Sequence, residues 1–168
     1  MRPAALLLAL AGPVAAQDAA ARMQPCLDAS DAEFARSAGL KLQDRWARLE
    51  VIAGGESRCL ATLTAACLRR KAEAGACFED VLAWATDRRR AAVQALPADL
   101  AEDAPGLAPD YDRWRDRALA AMDSPSVQGC PLGPDAPAAA CPALEAGSAW
   151  LEARDWARMI AVIREANR

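Results

Sequence analysis

The chain is 168 residues long, with 20 basic and 23 acidic side chains and no histidine. Its mild net acidity, with arginines interleaved among Asp and Glu rather than gathered into one run, argues against a nucleic-acid footprint. The missing histidines exclude Ser-His-Asp and Cys-His catalysis, His-bearing metal centres and a histidine pH switch.

Residues 1–16, MRPAALLLALAGPVAA, have the layout of a secretory signal peptide. Arg2 precedes an apolar run from Leu6 to Leu10, Gly12-Pro13 breaks it, and Val14-Ala15-Ala16 supplies small residues for cleavage before Gln17. The apolar run is far shorter than the roughly 20 residues of a membrane-spanning helix. Residues 17–168 are therefore expected as a single helical domain, periplasmic or secreted, with no stable membrane insertion after cleavage. Alanine is the commonest residue and adds little apolar area, so the core should be thin. The 6 cysteines suit an oxidising compartment and would act as staples.

Taken in order, a short polar lead through Pro25 and Cys26 reaches Ser30-Asp-Ala-Glu33, a capping-box pattern that predicts a helix start. Ala35, Ala38, Leu42, Trp46 and Leu49 then form one stripe, and Gly54-Gly55 is expected to end the helix. A second helix should run from near Ser57 to about Ala72, with Leu60, Leu63 and Cys67 on one face. Gly75 is the expected turn residue. The third helix, Cys77 to about Leu96, carries Phe78, Val81, Leu82, Ala85 and Val93, and Pro97 stops it. After an acidic, Pro-containing connection, a fourth helix covers YDRWRDRALAAMD. A Pro-rich cysteine loop is expected over 124–147, and a last helix opens near Ser148 with Trp156, Met159, Ile160 and Ile163 on one stripe. No stretch alternates with period two, so the fold class is all-α: a small disulfide-stapled helical bundle of about five helices.

Six cysteines allow fifteen pairings. Cys59 and Cys67 are eight apart on one predicted helix, roughly 12 Å at 1.5 Å per residue, beyond the reach of a disulfide. Cys67 and Cys77 flank a turn, Cys130 and Cys141 flank the Pro-rich loop, and Cys26 with Cys59 would complete one such set, but the sequence alone does not choose among the remaining pairings. There is no CxxC pair, and without histidine a Cys/His zinc site is impossible.

The remaining chemistry is sparse. Glu79-Asp80 and Glu102-Asp103 are adjacent carboxylates of the kind that usually line a solvated helix face, and no Gly-rich phosphate loop is present. A non-catalytic protein with no cofactor and no metal is expected. Trp84 with Arg88, and Trp114 with Arg115, are the candidate partner-binding residues, because Trp and Arg are enriched in binding hot spots. The alternative is that the tryptophans fill space left by the alanines.

An exported N-terminus, Cys59, an Ala-Ala-Cys67 step, then Cys77 followed by Glu79 and Trp84 resembles the small periplasmic LprI-like lysozyme-inhibitor family (the DUF1311 group). Tyr111-Asp-Arg-Trp114-Arg-Asp116-Arg-Ala is similar to that family's Trp-x-x-(Tyr/Phe)-Arg-Asp-Ala segment. The family's Trp-Asp-x-x-Leu-Asn-x-x-Tyr run is here Trp84-Ala-Thr-Asp-Arg-Arg-Arg, without the Asn and Tyr. The resemblance spans about residues 59 to 160. It implies a periplasmic protein-binding module whose partner is a lysozyme-type muramidase. The alternative expectation is a structural or envelope-maintenance protein with no enzyme target.

Overall fold

Ala19, Met23 and Leu27 recur every four residues, a helical stripe that begins well before the capping-box pattern, and all three are buried. The computed structural model describes residues 14–123 and 130–168, and its first helix, α1, is Val14–Arg36. Most of the predicted signal peptide and the start of the Pro-rich loop lie outside the described residues. Ser30 is thus a buried mid-helix residue, not a cap. Glu33 pairs with Arg36 and Arg48. Pro25 sits inside α1, where it lacks the N–H that would bond one turn back.

The first helix break falls at Ser37–Gly39, a single 3₁₀ turn in which the Ser37 hydroxyl donates to the Phe34 carbonyl at 2.7 Å. Helix α2 then runs unbroken over Leu42–Leu68, straight through Gly54-Gly55. Two interior glycines cost about 1 kcal/mol each in helix propensity. Burial of Leu49, Ile52, Leu60 and Leu63 on both sides of them outweighs that cost, since most helical stability in proteins comes from packing. The turn to α3 is a second 3₁₀ segment, Lys71–Glu73, and its left-handed residue is Lys71 (φ 52°), while Gly75 belongs to the first turn of α3, Ala74–Ala95. Helix α4 is Ala108–Asp123. Helix α5 is Ala140–Ala166 and begins eight residues ahead of Ser148.

Among the described residues there is no strand, and the architecture is an all-α, disulfide-stapled bundle of five helices. No helix is long and apolar enough to cross a membrane among the residues described. Helix α5 is the central element, packing most extensively on α3 and next on α2, while α1 closes over α2 and α3. Small residues allow this: Ala140, Ala143, Ala146 and Gly147 on α5 are all buried, and a Cβ on Gly147 would lie 2.9 Å from Leu60 Cδ1. Around them Met23, Leu63, Phe78, Val81, Trp84 and Trp150 form the main core. A second cluster, built on Val93, Leu100, Tyr111, Trp114, Ala153 and Ile160, seats α4 against α3 and α5.

The three bridges are Cys26–Cys59, Cys67–Cys77 and Cys130–Cys141, with Cα separations of 6.4, 5.4 and 5.6 Å. The first ties α1 to the middle of α2, the second closes the α2–α3 turn, and the third pins the Pro-rich loop to the start of α5.

Candidate functional site

The predicted binding residues are placed by the core rather than by the surface. Trp84 is 5% exposed and meets Trp150 edge-on, with ring centroids 4.9 Å apart. The Arg88 guanidinium lies 4.8 Å over the Trp84 ring, a cation–π contact. Trp114 is 8% exposed, and its Nε1 donates to Glu152 at 2.9 Å. Its ring belongs to a cluster with Tyr111 and Trp156. Arg115 is half-buried beside Tyr111; burial raises the Tyr111 phenol above its ordinary pKa, with Arg115 opposing. The Tyr111 hydroxyl donates to the Pro97 carbonyl, and Arg89 donates to the Ala118 carbonyl at 2.9 Å, so both tie α4 to its surroundings. The two Trp/Arg pairs lie in different clusters and do not converge on one face. Trp46 and Trp156 are half-buried.

The carboxylate pairs are also spread apart. Glu79 is exposed, and Asp103 accepts from Arg164 at 2.8 Å, joining the α3–α4 connection to the end of α5. Among the described residues no three potential metal ligands come together.

Charge concentrates where α1, α2 and α5 meet. Glu56 on α2 is 1% exposed and takes hydrogen bonds from two arginines one turn apart on α5. Arg158 donates to both of its oxygens, at 2.7 and 3.1 Å. Arg154 donates to Oε1 at 3.0 and 3.2 Å. Both arginines also reach Asp31 on α1, at 2.7 and 2.9 Å, giving two cations and two carboxylates in balance. Burial works against the Arg158 cation, but the hydrogen bonds and charges of Glu56 and Asp31 outweigh it, and its pKa rises. Asp155, next to this cluster, is pushed up by burial, with Glu56 and Glu152 adding to the rise and Arg158 opposing it. Its Oδ1 is buried without a hydrogen-bond partner among the described residues. It borders a concavity of about 290 Å³ between α2 and α5 that Ser57, Ser148 and Glu152 also line.

A larger groove runs along the outside of α1 and α2, about 530 Å³ in volume. The half-buried Cys26–Cys59 bridge, the buried Ile52 and Ser30, and Gly55 form its floor, and Ala29, Glu33, Arg48, Val51 and Arg58 stand around it. Arg48 crosses it to Glu33 at 2.9 Å. The Arg36 hydrogen bond, with the charges of Arg36 and Arg48, holds the Glu33 carboxyl below its ordinary pKa, against a smaller opposing effect of burial. Sequence reasoning missed this groove because it took Gly54-Gly55 for a helix end. The available signal was the unbroken spacing of Leu49, Ile52, Glu56, Leu60 and Leu63 across the glycines.

Compared with protein-family models, with curated proteins and with solved structures, the chain matches none.

Proposed function

We propose that this protein is an exported, non-catalytic protein-binding module of the periplasm or cell exterior. The observation that carries the reading is the α1–α2 groove, an open concavity with a largely apolar floor that includes a disulfide, and a charged rim. Three bridges in one small domain favour an oxidising compartment. The resemblance of the Cys59 to Trp84 stretch and of the Tyr111 segment to the LprI-like family nominates a lysozyme-type muramidase as the partner. The test is to incubate the disulfide-intact protein with a panel of such muramidases and follow complex formation and cell-wall lysis. A complex with loss of lysis is expected; free components with unchanged lysis at micromolar concentration would sink the inhibitor reading.

A second reading, a structural or envelope-maintenance protein with no enzyme target, is favoured by the burial of Trp84, Trp114 and Trp150. Stable association with envelope components alongside indifference to every muramidase would select it.

A further inference from the structure

We propose that the α1–α2 groove docks a segment of a partner protein that presents a carboxylate beside an apolar side chain. The carboxylate goes to Arg58, and the apolar group goes to Val51, Ile52 and the Cys26–Cys59 bridge. This rests on the binding-module reading and adds the chemistry of recognition and the residues that supply it.

Three observations converge on it. Val51, on the rim, is 58% exposed, more than any other large apolar residue described. It continues the apolar floor outward to where an incoming side chain would cover it. The second observation is the glycine pair. A Cβ on Gly54 would meet only Arg58 Nη1, at 3.5 Å, and one on Gly55 only Arg58 Nη2, at 3.9 Å. Interior packing therefore does not require glycine at either position, although both lower the propensity of α2. At Gly55, which lines the groove, the missing side chain leaves the groove open beside the Arg58 guanidinium.

The third is charge. Of the two arginines lining the groove, Arg48 is answered by Glu33, whereas Arg58 is exposed and has no acidic partner among the described residues. The lining thus carries a net positive charge in a chain whose total is -3. A guanidinium offers two parallel donors matched to a carboxylate, which makes an acidic group the complementary ligand. A single unpaired cation beside an apolar floor suits an acidic-apolar peptide segment far better than a polyanion, which needs an array of basic side chains.

The experiment is a phage-displayed peptide selection against the full, disulfide-intact protein, followed by titration of synthetic hits and their Asp-to-Asn or Glu-to-Gln twins. Wild type is expected to enrich acidic-apolar peptides, with affinity falling at least about tenfold in the amide twins and in Arg58→Glu, as expected for loss of a charge-assisted bond. Arg58→Lys should keep part of the affinity. Gly55→Leu, whose added side chain lines the groove and meets only the mobile Arg58 tip, should abolish binding while keeping helicity and a thermal midpoint no lower than that of wild type. Acidic-apolar peptides that bind Arg58→Glu and Gly55→Leu as well as wild type would overturn the groove assignment, while a complex in the muramidase panel would still uphold a protein-binding module that uses another surface. Enrichment of basic or uncharged peptides would do the same. Failure to enrich any peptide, with no partner found in the muramidase panel, would overturn both. A wild-type dimer that Arg58→Glu dissociates would show a second copy in the groove and also defeat the proposal.

Discussion

Arg158 grips Glu56 at two points, Nη2 to Oε1 at 2.7 Å and Nη1 to Oε2 at 3.1 Å, between side chains only 6% and 1% exposed. A pair buried this deeply holds two helices in one register, but the cost of removing both charges from water offsets much of their attraction. The pair thus matters most when half of it is lost.

Glu56→Ala leaves Arg154 and Arg158 with the exposed Asp31 as their one remaining hydrogen-bonded carboxylate among the described residues. We expect it to lower the unfolding free energy by about 3–5 kcal/mol, the usual penalty for stranding a buried charge. Replacing Glu56, Arg154 and Arg158 together with apolar residues should recover most of the loss. Urea unfolding of the single and combined variants checks this; additive losses would contradict it.

The glycines should respond with opposite signs. Gly54→Ala and Gly55→Ala place a Cβ where only the mobile Arg58 tip is near, so each should stabilise by about 0.5–1 kcal/mol through helix propensity. Gly147→Ala places its Cβ 2.9 and 3.0 Å from the two methyls of buried Leu60. Overpacking of about 1–3 kcal/mol then exceeds the propensity gain. Thermal midpoints that rise for all three would disprove the close α2–α5 approach.

Exposure sets the order in which the bridges meet a soluble reductant. Cys67 and Cys77 are 0% and 7% exposed, while the cysteines of the other two bridges are half-buried. Under native conditions Cys26–Cys59 and Cys130–Cys141 should be reduced first and Cys67–Cys77 last. Timed alkylation and peptide mass spectrometry read the order directly, and early loss of Cys67–Cys77 would contradict the packing.

Asp155 and Glu33 predict opposite pH dependences. Burial raises the folded-state pKa of Asp155, against the pull of Arg158 and with Glu56 and Glu152 adding to the rise. The folded state therefore holds this proton more tightly than the unfolded chain, and stability falls as pH rises from the ordinary Asp range through the raised value. Asp155→Asn should stabilise at neutral pH, with the advantage vanishing toward acid. Glu33 is shifted down, so its contribution is present above the ordinary Glu range and disappears as pH falls through the lowered value. Glu33→Gln should destabilise slightly at neutral pH and be neutral in strong acid. Denaturation across pH distinguishes the two.

The all-α class was legible in the sequence because it follows from a short-range rule, stripes at three- and four-residue spacing. For the cysteines the rise per residue excluded only Cys59–Cys67, and the Cys26–Cys59 bridge, 33 residues apart, is fixed by how α1 packs on α2. Helix ends were less so. Ser30 and Gly54-Gly55 carry the local chemistry of a start and a stop, yet Met23, Leu27, Ile52 and Leu60 carry the helices through them. Nothing local in the sequence marks Arg154 and Arg158, because Glu56 and Asp31, their partners, lie about a hundred residues away in the chain. The burial of Trp84 and Trp114 was weighed from composition alone, and only packing against Trp150 and Trp156 decided it.

The central claim, an exported domain stapled by three specific bridges, is tested most directly by non-reducing peptide mapping of the protein recovered from the exported fraction of its producing cells. The account predicts a chain beginning at Gln17, the first turn of α1 removed, with Cys26–Cys59, Cys67–Cys77 and Cys130–Cys141 linked. Six free thiols on a chain that still begins at Met1 would contradict it.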